Sequence, residues 1–175
     1  MVFSSVTFLF YFLPIALALY FVAPFGMKNG ILLFASLFFY AWGEPIYIFL
    51  MLFSVIANYL LGLALDRTRD RKRLVLVASI VLNLGLLGFF KYANFAIATV
   101  NGLAGTAIAT VDLPLPIGIS FYTFHGLSYV IDIYKNRIPA ERNFIDYAVF
   151  VSFFPLLVAG PIERATHLLP QIKSK

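Results

Sequence analysis

At 175 residues, 62% of them hydrophobic, 18% aromatic and 12% charged, the chain is excluded from the class of ordinary soluble domains. The absence of cysteine removes disulfides, thiolate catalysis and cysteine-ligated metals together. A net charge of +5 is no nucleic-acid footprint here, because five of the thirteen basic residues fall in Arg67–Arg73 and most others lie in short loops.

The charge-free runs Met1–Met27, Asn29–Gly43, Pro45–Leu65, Leu74–Phe90, Tyr92–Val111 and Leu113–Ile131 carry the fold class. Several approach or exceed the roughly 20 residues with which a helix crosses about 30 Å of hydrocarbon. Ten-residue segments of strict alternation are missing, which argues against a membrane β-barrel. The expectation is an all-α, polytopic helical membrane protein. It has about five to six membrane-embedded helices plus a re-entrant or interfacial segment, in one domain. Ala16-Leu-Ala18 resembles a signal-peptidase site, but no basic segment precedes it and the apolar run is too long, so this run reads as a first transmembrane helix.

In chain order, the first helix spans Ser4–Val22 and ends in a loop holding Pro24, Gly26 and Lys28-Asn-Gly30. The second runs Ile31–Trp42, closed by Tyr40 and Trp42, rings suited to headgroup level. Gly43-Glu-Pro45 turns the chain, with Pro45 in the first turn of a third helix over Ile46–Leu65. A fourth covers Leu74–Phe90, beside Lys91 as a snorkelling anchor. Tyr92–Val111 then either crosses the membrane or lies along its outer interface as a partial hairpin. The second option keeps Lys135, Arg137 and Arg142 on the same side as Arg67–Arg73, as the positive-inside rule prefers. That rule puts Arg67–Arg73 in the cytoplasm and the N-terminus outside. Asp112 reads as a loop residue ahead of Pro114 and Pro116, which open a helix over Ile117–Tyr134. A shorter piece, Phe144–Val158, contains Pro155 and is too short to span, so it dips in beside that helix. The chain stops at Lys175 without a closing transmembrane segment, which reads as truncation.

The stretch Leu113–Tyr134 carries the chemistry. On a helix turning roughly 100° per residue, Tyr122, Ser128, Tyr129 and Asp132 fall within about 60° of His125, with Gly118 close to the same line. Ile119, Thr123, Leu127 and Val130 occupy the other side. Polar groups aligned on one face meet protein, water or a ligand. His125 and Asp132 could serve as a general base with its orienter, but they lie two turns apart, about 10 Å along the axis, so only a bridge through Tyr129 or water would couple them. They serve either as polar glue between helices or as the wall of a cavity or substrate path. His167, in Glu163-Arg-Ala-Thr-His, reads as a solvated loop residue. Two distant histidines make no metal site, and no catalytic constellation or phosphate loop is visible.

Three phrases occur together: Leu115-Pro-Ile-Gly-Ile-Ser-Phe-Tyr-Thr-Phe124 with Ser128-Tyr-Val-Ile-Asp-Ile-Tyr134, Val151-Ser-Phe-Phe-Pro155, and Val158-Ala-Gly-Pro-Ile162 with Arg164. With Val2-Phe-Ser-Ser and Phe34–Trp42 before Gly-Glu-Pro, they resemble the amino-terminal third of the membrane-bound O-acyltransferase family. The resemblance is to its bacterial alginate O-acetyltransferase branch, distantly related to a teichoic-acid D-alanylation protein. It implies a ring of helices around a thin core crossed by a tunnel. An acyl group, from acetyl-CoA or an acyl carrier, passes through it from the cytoplasm to a polysaccharide acceptor such as alginate. An extracytoplasmic acetyltransferase partner and the lipid bilayer are implied; no bound cofactor is. The family's essential histidine lies beyond the matched region, so this chain alone is expected to be inactive. By the same resemblance Gly118, Ser120, Tyr122, Asp132, Tyr134, Pro155, Gly160, Pro161 and Arg164 take structural or tunnel-lining roles. His125 and Tyr129 join them on the polar face. His125 stands where relatives commonly carry glutamine, and Leu156 where glutamine or histidine is common. Two rival readings are a non-catalytic scaffold and a proton or solute transporter using the His125–Asp132 face.

Overall fold

The computed structural model describes residues 5–68, 70–110 and 114–174, and every regular element among them is helical. The opening Val2-Phe-Ser-Ser phrase is described only at Ser5, and Asp112 and Leu113 lie outside the described residues. A π-helical stretch, Phe8–Phe12, runs without a break into α1 (Leu13–Val22), so Pro14 sits inside continuous helical backbone just past the π-helical turn. Helix α2 (Lys28–Gly43) starts three residues before its expected position and absorbs Lys28-Asn-Gly30, which composition alone assigns to a loop. The cause is tertiary: Asn29 is 3% exposed, and its amide donates to Asp146 and to the Ile172 carbonyl. Helix α3 (Ile48–Arg67) begins after a turn that holds Pro45, which therefore lies outside the helix.

Helix α4 (Lys72–Ala104) corrects the fourth and fifth segments together. Its 33 residues pass through Lys91 without a break, so the part of the fifth segment from Tyr92 to Ala104 continues the fourth helix; Val111 lies outside the described residues. Ala93, Ala96 and Ala98 favour this continuation, since alanine is the strongest helix former. The helix stops at Gly105, whose left-handed φ of 63° is cheap only for glycine. Asn101 ties down the loop beyond, accepting from Thr106 Oγ1 and the Ile108 N–H and donating to the Ile108 carbonyl. At 1.5 Å per residue α4 is about 50 Å long.

Helix α5 (Ile119–Tyr134) follows, then α6 (Phe144–Ser152), α7 (Phe154–Ala159) and α8 (Ala165–Lys173). The single piece expected over Phe144–Val158 is two helices. Phe153 leaves helical geometry at φ −54°, ψ 110°, and Pro155 enters the first turn of α7. The Phe154 N–H freed by this break donates to Ser36 Oγ on α2 (3.2 Å). His167 is an exposed residue of α8 instead of a loop residue.

Ten of the sixteen residues of α5 are buried, on its polar and apolar sides alike, which makes it the core helix. It packs against α3, α4, α6, α7 and α8. Met51, Val55 and Leu65 from α3, and Tyr147 and Phe150 from α6, complete the interior. Among the described residues only α3 and α4 are long and apolar enough to cross a membrane, against about five to six helices expected. Helix α4 turns Leu74, Val77, Val81, Leu84 and Phe89 outward.

Candidate functional site: the buried polar helix and the charged end

Helix α5 reaches the centre because two glycines let it approach α3. A Cβ on Gly62 would lie 2.5 Å from the Tyr129 ring, and one on Gly126 would lie 2.7 Å from Asn58 Nδ2. Behind Gly126, α3 and α4 are clasped by paired amides. Asn58 Nδ2 donates to Asn83 Oδ1 (3.0 Å), and Asn83 Nδ2 returns the bond to Asn58 Oδ1 (2.7 Å). Each amide also donates to the carbonyl four residues earlier, on Ser54 (2.9 Å) and Ser79 (2.8 Å). All four side chains are at most 1% exposed. Sequence reasoning missed this clasp, although asparagines inside charge-free runs are the signal for interhelical hydrogen bonding.

The expected polar face is present on α5, and its members meet different partners. Gly118 caps the helix at φ 76°, and a Cβ there would lie 2.9 Å from the Leu157 carbonyl oxygen. Tyr122 is buried with its hydroxyl near that of Tyr40. His125 is fully buried edge-on to Phe150, with ring centroids 5.4 Å apart. The Tyr129 hydroxyl accepts the Glu141 N–H (2.9 Å), and its ring tilts over Tyr147 at 4.5 Å. Asp132 is paired with Arg137 (3.1 Å), just past the helix end, and not with His125. Ser120 and Tyr134 are half-buried, as are Pro155 in α7 and Gly160 at its C-terminus. Pro161 and Arg164 are exposed, Arg164 preceding α8, so these two stay apart from the buried face.

Around α5 lies a set of buried polar atoms without a protein partner: the hydroxyls of Tyr40, Tyr122 and Tyr147, both ring nitrogens of His125, and Oδ2 of Asp132. They can donate and accept protons in hydrogen bonds. None forms a nucleophile–base pair, since neither His125 nitrogen hydrogen-bonds to a hydroxyl or carboxylate. Gly118→Ala tests the packing at the head of the face. Left-handed geometry costs a side-chain-bearing residue about 1–2 kcal/mol, and the close Leu157 oxygen adds to it. A fall in the unfolding midpoint of the purified protein is expected, while Gly102→Ala, with open space at its Cβ, leaves it unchanged or higher.

The charged residues gather at the opposite end of α5. Arg142 pairs with Asp66, Lys72 donates to Asn136 (3.1 Å), and the Tyr59 hydroxyl donates to the Arg142 carbonyl (2.7 Å). These bonds place the loop bearing Arg137 and Arg142 beside the end of α3 and the start of α4. The chain entering α6 is fully tied. Glu141 Oε1 accepts the N–H groups of Arg142 and Asn143 (3.0 Å each), Asn143 Oδ1 accepts that of Ile145, and Glu141 Oε2 accepts from Lys173 (2.9 Å). Burial raises the Glu141 carboxyl, but those backbone donors and the Lys173 ammonium outweigh it and hold its pKa below the usual value. Hydrogen bonding to Glu141, and then its charge, raise the Lys173 ammonium in turn.

No family model and no solved structure matches the chain. Curated relatives do, over its whole length. It is 41% identical across 183 aligned positions to a probable alginate O-acetylase AlgI of Azotobacter vinelandii, covering 36% of that protein. It is 42% identical to a probable alginate O-acetylase AlgI of Pseudomonas aeruginosa, covering 35%, and 36% identical to a peptidoglycan O-acetyltransferase of Helicobacter pylori, covering 39%. The chain thus spans little more than a third of the relatives it matches.

Proposed function

Because the chain belongs by sequence to the alginate O-acetylase AlgI family of membrane-bound O-acyltransferases, we propose that it forms the amino-terminal third of an enzyme that passes acetyl groups across a membrane for O-acetylation of an exopolysaccharide such as alginate. Whole-length identity of 41–42% to proteins of that name carries the reading. The outward apolar surface of α4 and the length of α3 support a bilayer setting. The gathering of Lys72, Arg137 and Arg142 at one end supports a cytoplasmic position for that end. Helix α5 then stands as a wall of the acyl path, its Tyr122 hydroxyl and His125 imidazole facing the route, while the histidine that acts on the acyl group belongs to the part of the enzyme not in this chain. The peptidoglycan-directed relative supports the shared chemistry, a carbohydrate hydroxyl as acceptor, over any one polymer.

A chimera tests this. Residues 1–175 replace the matching third of the Pseudomonas aeruginosa relative in a strain lacking that gene. Restored O-acetylation of secreted alginate is the expected result. A chimera present in the membrane at the natural level that yields no acetylated polymer overturns it.

A further inference from the structure

Between α1, α2, α6 and α8, at the charged end, lies a cavity of about 600 Å³ that the acyl path does not use. Its walls are apolar, with Leu19, Met27, Ile31 and Phe34 among them, and its floor is polar: Asn29, Asp146, Asn143 and Lys173. Leu19 and Phe34 also line a second, apolar groove of about 330 Å³ that continues along α1 and α2 to Phe38 and Trp42. A polar pocket opening into an apolar trough has the shape of an amphiphile.

The floor specifies the head of that amphiphile. Asn29 Nδ2 donates to two acceptors, Asp146 Oδ1 and the Ile172 carbonyl, so the amide cannot be turned over. Its Oδ1 is therefore a buried acceptor, and it has no partner. Asp146, 8% exposed, accepts from Asn29 and from Asn143 Nδ2 (3.0 Å), both neutral amides. The cation lining the same cavity, Lys173, is bonded to Glu141. Among the described residues Asp146 makes no salt bridge, Lys173 acting on it only from longer range, and an orphan acceptor beside such a carboxylate calls for a small cation rich in N–H donors. A primary ammonium offers three; a quaternary ammonium offers none. Lys173, half-exposed at the rim, is placed for an anion one or two bonds further out.

We propose that this groove binds a phosphatidylethanolamine molecule. Its ammonium lies against Asn29 and Asp146, its phosphate toward Lys173, and one acyl chain along Leu19, Phe34 and Phe38. The site rests on the bilayer setting proposed above, and it adds shared lipid to the contact between α2 and α1, a helix that has no fully buried residue and meets the apolar cluster of Phe8, Phe39 and Phe154 through Leu13.

The test titrates the purified chain in detergent with short-chain phosphatidylethanolamine, phosphatidylcholine and phosphatidylglycerol and reads retained lipid by native mass spectrometry. Phosphatidylethanolamine is expected to bind about tenfold more tightly than the choline lipid, and the glycerol lipid, repelled by Asp146, more weakly still. Asp146→Asn keeps an acceptor on the floor but loses the charge, and the preference with it. Gly30→Leu fills the cavity from a Cβ position that meets no atom within 4 Å, so the fold holds while all three lipids are lost. Equal affinity for the ethanolamine and choline lipids overturns the proposal, as does a preference that survives both substitutions. A carbonate wash of expressing membranes separates the premises. Release of the chain defeats the bilayer reading, whereas a retained chain without lipid preference defeats only the site.

Discussion

Gly126→Leu is expected to destabilise the protein by roughly 2–4 kcal/mol, counting overpacking of a tight core and part of one interhelical amide pair. The side chain would enter space held by Asn58, with Nδ2 at 2.7 Å and Cγ at 2.8 Å from the new Cβ. A long free side chain would swing aside at little cost. Asn58 cannot, because its amide is fixed at both ends by Asn83 and by the Ser54 carbonyl. Either α5 moves off α3, exposing Tyr129 and Val130, or the clasp opens, breaking both bonds between the Asn58 and Asn83 amides and taking from Asn83 Oδ1 its buried donor. Gly85→Leu on α4, with nothing within 4 Å, is the control and stays within about 0.5 kcal/mol. Unfolding in detergent–denaturant mixtures reads both. The pair Asn58→Ala with Gly126→Leu should cost less than the sum of the single substitutions, since the alanine vacates the contested space. A Gly126→Leu protein as stable as the parent would show that α5 does not depend on the close approach.

The opening of α5 was legible because its signals are local: two prolines before an apolar run with aligned polar residues, and Pro139 beyond it. The break at Pro155 was legible in kind, since proline and a short apolar run announce an interruption, but its placement at Phe153 depends on Ser36, more than a hundred residues away. Helix α4 runs on past Lys91, whose charge closes the fourth apolar run: a lysine ends an apolar run without ending a helix, and the stop signal is Gly105. Asn29 was hidden for a different reason. Lys-Asn-Gly is loop composition by any local rule, and only the Asp146 carboxylate, brought by a distant helix, turns it into the first turn of α2. Periodicity places the polar residues of α5 on one side of the helix, yet their pairing was not readable from a wheel. Asp132 finds Arg137 in the loop past its own helix, and Tyr129 finds the backbone of Glu141, because the chain folds back over the end of α5. Periodicity says which side chains share a face; loops decide whom they meet.

Glu141 ties that returning loop, and its removal is expected to be nearly as costly as the glycine substitution. The residue is 8% exposed and its carboxylate takes three donors, two of them backbone N–H groups. Hydrogen bonds to a charged group contribute about 1.5–3 kcal/mol, so Glu141→Ala should lose about 2 kcal/mol and loosen the entry to α6. Lys173→Met should lose only about 0.2–1 kcal/mol, because its ammonium is half-exposed and solvent screens the pair. The pH dependence separates the two roles. The folded Glu141 carboxyl titrates below its unfolded value of 4.5, so its contribution is fully present above pH 4.5 and disappears as the pH falls through the folded value. The Lys173 ammonium is raised above 10.5, so its share is present below pH 10.5 and is lost as the pH climbs past the folded value. Unfolding midpoints measured across both windows should therefore show an acid-side decline in the parent protein that is reduced in Glu141→Gln, and an alkaline decline that is reduced in Lys173→Met. If Glu141→Gln follows the parent curve below pH 4.5, the carboxylate is not what holds the loop, and the neighbouring Tyr129 hydroxyl and Asn143 cap must hold it alone.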